Sequence, residues 1–170
     1  MINKLRRSVL NSYLKFFNSL CNIAFVNNQM VSLLLVHGDV PRPRQNDLKY
    51  YDYINSISDL TNNQIKDNIN RTITNNMLWS DPCESYDDLR KNSGRFGFTE
   101  GHFDEFQSKI KFDLLIRGHE AKLAGYKKFF NSRLYTLFSS GKILKNDINI
   151  NNETAYDDIA PKIIKFSKSR

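Results

Sequence analysis

Residues 112–141 of this 170-residue chain read FDLLIRGHEAKLAGYKKFFNSRLYTLFSSG, and their pattern decides the fold class. The apolar run 114–116 has the length and content of a buried strand, and it ends abruptly in the polar residues 117–120. Two further strand-like runs follow, at 126–130 and 134–138, and the three residues between them read as a hairpin turn. Because ligands gather at the carboxyl ends of strands in α/β sheets, the polar loop after the first strand is a candidate site.

The same pattern occurs earlier in the chain. Residues 22–26 are predicted to form a short strand, and the asparagine pair after them a hairpin turn, because Asn tolerates positive φ. Residues 31–36 form a continuous apolar run that ends in His37 and Gly38. Two strands therefore each deliver a histidine to the same kind of position, and we predict that His37 and His119 lie close together. On spacing alone, a solvated loop histidine is an equally good interpretation of His119.

Helical periodicity dominates the first half of the chain outside these strands. Apolar spacing predicts helices over residues 4–20, 47–60 and 61–77, the last with Thr61 as its N-cap. The main interpretation of Trp79 is that it packs on the core just before a turn.

The second half adds one helix and several irregular segments. Residues 81–97 and 145–155 read as polar loops, and residues 160–166 as a last edge strand. Thr99 is expected to cap a helix that runs to about residue 111, from which His102 faces solvent. The core-facing residues expected on this helix are Phe103, Phe106 and Ile110.

Composition suits a single globular domain. The hydrophobic content is 40%, and no apolar run approaches the ~20 residues of a membrane span. We expect neither a signal peptide nor a membrane partner. Cys21 and Cys83 are far apart and in no metal-type spacing, which predicts a reduced, cytoplasmic protein. The net charge of +7 allows an anionic partner, but the basic residues are scattered, without the interleaved aromatics of a nucleic-acid surface.

Four ordered motifs resemble the C-terminal half of the catalytic domain of the phosphoprotein phosphatase (PPP) family, the dinuclear-metal protein serine/threonine phosphatases. The motifs are Val36-His37-Gly38, Leu78-Trp79-Ser80-Asp81-Pro82, Arg90 followed by Phe96-Gly97, and Arg117-Gly118-His119 followed by Gly125-Tyr126 and Thr136-Leu137-Phe138-Ser139. The match covers about residues 16–140. It implies an α/β fold, the C-terminal half of a metallophosphoesterase-type four-layer α/β/β/α sandwich with a mixed sheet. The whole chain, 1–170, would then be one partial calcineurin-like domain.

The resemblance also implies a metal site. Members of the family use two divalent metals, manganese, iron or zinc, which clamp the phosphate and activate a bridging water. The histidine after each of the two strands binds the second metal, which assigns that role here to His37 and His119. Asp39 replaces a glycine of the family pattern, and it is an auxiliary candidate that could add a ligand or repel phosphate.

A phosphate-binding arginine is implied in the same way. Arg90 stands seven residues before Gly97, the offset of the family's phosphate-gripping arginine, and a guanidinium can grip two phosphate oxygens at once. Arg95 is the alternative, and a solvated loop arginine is the competing interpretation. Tyr156 is a further auxiliary candidate for the family's tyrosine near the metals.

Several motifs of the resembled family do not occur in the sequence. These are Gly-Asp-x-His-Gly, Gly-Asp-x-x-Asp-Arg-Gly and Gly-Asn-His-Glu, which supply the remaining metal ligands and the general acid. The chain thus resembles a hydrolase of phosphoserine and phosphothreonine esters in phosphoproteins, but no catalytic set is intact and we expect it to be inactive alone. It could be one half of a split enzyme that joins an N-terminal half-domain chain, or a non-catalytic protein-binding remnant. A basic nucleic-acid-binding module is the least favoured alternative.

Overall fold

A computed structural model describes residues 9–16, 20–41, 54–61, 67–85, 87, 89, 95–141 and 156–166. The helices are α1 (9–16), α2 (Ile57–Thr61), α3 (Asp67–Trp79) and α4 (Glu100–Ile110). The strands are β1 (Ile23–Asn27), β2 (Ser32–Val36), β3 (Asp81–Pro82), β4 (Gly97–Phe98), β5 (Leu114–Arg117), β6 (Tyr126–Phe129) and β7 (Leu134–Leu137). Within these residues, no helix is long and apolar enough to cross a bilayer.

The main sheet is mixed and has the strand order β1-β2-β5-β7-β6. Its three central strands, β2, β5 and β7, are parallel, so their carboxyl ends meet at one edge. The hairpins β1–β2 and β6–β7 add an antiparallel strand on each side, as the sequence predicted. Asn28 shapes the first turn, because its Oδ1 accepts hydrogen bonds from the backbone of Met30 and Val31. The second turn has positive φ at residues 130–132.

A row of apolar side chains crosses one face of this sheet. Leu34 is paired with Leu115, Leu115 with Leu134, and Leu134 with Phe129, and all four are buried. Helix α4 covers this face with the residues expected from its periodicity, which are Phe103, Phe106 and Ile110. The core therefore lies between α3, α4 and one side of the sheet.

The opposite face of the sheet is also apolar, because every second residue of the central strands is aliphatic. Leu33 is 7% exposed, and its neighbours Leu35, Leu114 and Ile116 are partly exposed. On the edge strand β1, Val26 is 44% exposed. A sheet that is apolar on both faces is typical of the inner layer of a sandwich.

The boundaries of two helices differ from the predicted ones. Residue 61, predicted as an N-cap, is the last residue of α2, and α3 begins at Asp67. The start of α2 is stabilised from within the helix, because Asp59 Oδ2 accepts hydrogen bonds from the backbone of Asn55 and Ser56, the two residues before it.

Two irregular segments also differ from the structure predicted for them. Residues 81–97 are not all loop, because Asp81–Pro82 pairs in parallel with Gly97–Phe98. Residues 160–166 do not form an edge strand; the backbone of Ala160 bonds to Leu123 and that of Lys162 to Phe138, without a continuous ladder. Pro161 between them has no N–H to donate.

Some predictions concern residues outside the described ranges. These are the ends of the 4–20 helix, most of the 47–60 helix, the 145–155 loop and Arg90. The assignment of residues 1–170 to one domain stays a prediction.

Candidate metal site

Two histidine rings meet at the carboxyl edge of the central strands. His37 directly follows β2, and His119 follows β5 by one residue. His119 Nδ1 lies 3.3 Å from His37 Nε2, and the rings are edge-on with centroids 5.1 Å apart. The backbone supports this contact, since Gly118 N donates to His37 O at 3.1 Å. His119 has φ 68°, a left-handed conformation that is uncommon for a residue with a side chain.

The two ring nitrogens fit two ligand positions of one metal ion. Nitrogens about 2.1 Å from a common zinc lie about 3.0 Å apart at a right angle and about 3.4 Å apart at the tetrahedral angle. The observed 3.3 Å falls inside this range. Burial lowers the pKa of His119, with Arg117, Arg95 and His37 adding to the effect against the charge of Asp81. A lowered pKa favours the neutral imidazole that binds metals.

These residues do not form a complete metal centre. Among the residues that the structure describes, no group of three or more His, Cys, Asp or Glu side chains is placed to enclose an ion. The two imidazoles could supply about half of the ligands of one metal ion. The other ligands of that ion, and all the ligands of a second ion, would have to come from elsewhere.

Trp79 and Asp81 surround the His119 ring on its other sides. The Trp79 ring stands edge-on to His119, with centroids 5.3 Å apart, and Asp81 Oδ1 lies 3.8 Å from His119 Nε2. Within the described chain, Nε2 makes no hydrogen bond. Trp79 was expected to pack on the core, but it is 50% exposed, because it is the last residue of α3 and projects at the site edge.

Arg117 is the centre of a buried polar network beneath the histidines. Its side chain is fully buried at the end of β5, where it pairs with Asp81 at 2.9 Å, Glu120 at 2.6 Å and Asp39 at 3.2 Å. It also donates to three neutral oxygens, those of Gly38 O, Ser80 O and Thr136 Oγ1. One cation thus joins the chain segments that follow β2, α3 and β5.

The carboxylates of this network have different environments. Burial raises the pKa of Asp39 well above its usual value, against the charge of Arg117 and the hydrogen bond from Val40 N. Burial acts to raise the pKa of Glu120 as well, but hydrogen bonds from Lys122 and Arg117 outweigh it and the net pKa is lowered. Asp39 therefore faces Arg117 in the interior and presents no carboxylate to solvent.

The remaining candidate residues have mixed outcomes. Arg90 lies outside the described residues, and its assignment stays a prediction. Arg95 is 46% exposed and its Nη2 is 3.0 Å from Asp81 Oδ2, which places it beside the histidine pair. Tyr156 is 44% exposed and packs its ring on Phe138, with centroids 5.2 Å apart. His102 does not simply face solvent, because its Nδ1 accepts a hydrogen bond from Thr99 N at the start of α4.

The role of Arg117 was missed from the sequence, although one pattern could have revealed it. Residues of a strand alternate between faces, so Arg117 lies on the same face as the buried Leu115. A buried charged residue needs partners of opposite charge. Asp39 after β2 and Asp81 after α3 were candidates for this role.

The sequence of the chain is similar to those of protein phosphatase catalytic subunits. The chain is 29% identical to the serine/threonine-protein phosphatase 2B catalytic subunit A1 of Saccharomyces cerevisiae, over 99% of this chain and 32% of that protein. It is 29% identical to the serine/threonine-protein phosphatase 4 catalytic subunit of the same yeast, over 55% of this chain and 36% of that protein. The chain thus spans about a third of the length of these relatives. No protein-family profile matches it.

A solved structure shows the same fold. It is a protein serine/threonine phosphatase from Saccharomyces cerevisiae with similarity to human phosphatase PP5, with a TM-score of 0.56 and 23% identity over 79% of this chain and 39% of that one. The fold is therefore α/β with a mixed sheet, corresponding to part of a metallophosphoesterase-type fold. The chain is similar to phosphoprotein phosphatase catalytic subunits over part of their length.

Proposed function

We propose that the chain is the C-terminal part of a metal-dependent protein serine/threonine phosphatase and that it hydrolyses no phosphate ester by itself. The observation that carries the proposal is the 3.3 Å separation of His37 Nε2 and His119 Nδ1 at the carboxyl edge of the sheet. His37 and His119 would hold one of two divalent metals, manganese, iron or zinc, while Arg90 or Arg95 would bind the phosphate. Bound metals of this kind polarise a phosphate and activate water.

The proposal assigns the remaining catalytic groups to a second polypeptide segment. An N-terminal half-domain would supply the bridging carboxylate, the other metal ligands and the general acid, and the substrate would be a phosphoprotein. In this chain, Arg117 and its carboxylates would keep the two histidines in place. We also propose a cytoplasmic location, on the basis of the two cysteines, Cys21 and Cys83, which are both free.

The test is hydrolysis of a phosphopeptide and of an aryl phosphate by the purified chain with manganese. The chain alone is expected to match a His119→Ala control. After mixing with the N-terminal half of a related phosphatase, activity is expected to appear and to vanish again with His37→Ala. Activity of the chain alone well above the control would contradict the proposal.

A second candidate is a non-catalytic protein-binding module, which the exposed apolar surface of α1 favours. Val9, Leu10, Tyr13, Leu14 and Phe16 are between 48% and 59% exposed. Clusters of this kind on a surface mark interaction sites. This alternative predicts a stable complex with an N-terminal half without any phosphatase activity, which the same mixing experiment would reveal.

A further inference from the structure

Asp39 and Arg117 are placed symmetrically about the histidine pair. Asp39 lies two positions after His37, and Arg117 lies two positions before His119. Arg117 Nε lies 3.2 Å from Asp39 Oδ2 and donates to Gly38 O at 2.5 Å. Together with the bond from Gly118 N to His37 O, these contacts tie the end of β2 to the end of β5 directly beside the two rings.

The two oxygens of the Asp39 carboxylate lie near different partners. Its Oδ1 accepts a hydrogen bond from Val40 N at 2.9 Å. Its Oδ2 forms an ion pair with Arg117 Nε at 3.2 Å but accepts no hydrogen bond within the described residues, because Nε donates to Gly38 O. Both Asp39 and Arg117 are buried from solvent, so no water shell competes for these contacts. Asparagine would keep one oxygen for Val40 N, but it would remove the negative charge and turn an NH2 donor group towards Arg117 Nε.

We infer that Asp39 is a positioning residue that sets the spacing of the His37 and His119 rings for a shared metal ion. The inference rests on the proposed function, since it assumes that the pair binds metal. The Asp39 carboxylate forms an ion pair with Arg117 Nε, and the other guanidinium nitrogens pair with Asp81 and Glu120. Of these two, Asp81 Oδ1 lies 3.8 Å from His119 Nε2, and Glu120 directly follows His119 in the chain. The carboxylate itself is not a ligand, because it is turned into the interior against Arg117.

Partners that orient metal ligands change metal affinity by about 10–100-fold when they are removed. We therefore expect the Asp39→Asn variant to bind zinc about 10–100-fold more weakly than the wild type. A merely structural role would lower the melting temperature and leave the zinc affinity of the folded protein unchanged. Zinc affinity is thus the quantity that separates the two roles.

The experiment is a zinc titration of the full chain with isotope-labelled histidines, followed by NMR of the imidazole rings. The chain contains three histidines, and His102 is an internal reference because Thr99 N engages its Nδ1 at 3.1 Å in α4. In the wild type, the ring signals of His37 and His119 are expected to shift together while those of His102 stay constant. The Asp39→Asn variant is expected to need a higher zinc concentration for the same shifts.

Asp113→Asn is the matched control. Asp113 Oδ2 accepts a hydrogen bond from Ser32 N at 2.8 Å, so it links β2 and β5 at the opposite end of the same strands. The control removes one carboxylate charge between the same two elements, far from the rings, and its zinc affinity is expected to equal that of the wild type.

Equal zinc affinity in Asp39→Asn and wild type would overturn the inference and leave the metal site standing. If zinc does not shift the ring signals of His37 and His119 together in the wild type, the proposed site is wrong, and the inference falls with it. If Asp39→Asn does not fold, Asp39→Gly, which also removes the carboxylate, replaces it. Unfolding of both variants would show that Asp39 serves folding, and would overturn the positioning role.

Discussion

At the scale of single residues, Gly38 beside the histidine pair has no space for a side chain. A side-chain Cβ at this position would lie 2.4 Å from the carbonyl carbon of Leu78 and 2.6 Å from its oxygen. Gly38 N also donates to Met77 O at 2.8 Å, which docks the end of α3 on the end of β2. The close approach of these two backbones therefore requires glycine.

We expect Gly38→Ala to lower the free energy of unfolding by about 1–3 kcal/mol, because the end of α3 must move to admit the methyl group. Gly118→Ala is the matched control, since its Cβ would come no closer than 3.8 Å to His37. The control should lie within about 1 kcal/mol of wild type. Urea unfolding measures both, and equal stabilities of the two variants would contradict this account of Gly38.

The sequence predicted which residues would meet at the site, but not what holds them there. The strand-then-histidine pattern predicted that His37 and His119 lie together, and their ring nitrogens are 3.3 Å apart. The network of Arg117 was not predicted, because its partners Gly38 and Asp81 lie 79 and 36 residues away in the chain. The strand alternation could have shown that Arg117 points inward, but which groups it contacts at this range depends on the full topology.

At the scale of elements, helix α4 is determined largely by its own sequence. Thr99 is its N-cap, His102 Nδ1 accepts a hydrogen bond from Thr99 N, and Lys111 ends the helix in a left-handed conformation. These signals are local, and the predicted helix and its core residues were confirmed. The short β3–β4 pair was missed, because it depends on pairing across the intervening chain.

We expect Thr99→Ala to lower the free energy of unfolding by about 1 kcal/mol, as is typical for the loss of an N-cap. Ser108→Ala is the matched control on the same helix, where the exposed hydroxyl donates only to Glu105 O. Thermal unfolding should separate the two variants by several degrees. A Thr99→Ala variant as stable as Ser108→Ala would show that the cap contributes nothing to stability.

At the scale of the whole molecule, two apolar surfaces lie outside the described core. One is the second face of the sheet, with Leu35, Leu114 and Ile116 partly exposed, and the other is the surface of α1. Half of a sandwich leaves such surfaces uncovered, but the sequence did not show that α1 would carry one of them. What packs against each surface depends on contacts with other chain segments or other chains, and local sequence patterns do not predict such contacts.

We expect the isolated chain to self-associate, because exposed apolar faces and sheet edges attract other chains. Sedimentation velocity over a range of concentrations measures this association. Leu10→Asp, at a position 56% exposed on α1, should weaken it. Asn11→Asp, on the side of the same helix away from these apolar residues, should have a smaller effect. A monodisperse monomer at high concentration that unfolds cooperatively would count against the half-domain interpretation.

X-ray absorption spectroscopy of the zinc-loaded chain measures whether His37 and His119 bind one metal ion together. We expect one zinc per chain with two imidazole ligands at about 2.0–2.1 Å. In the His119→Ala variant, the imidazole scattering should fall to that of one ring or disappear with the bound zinc. Zinc with no imidazole ligands in the wild type, or scattering unchanged by His119→Ala, would contradict the claim.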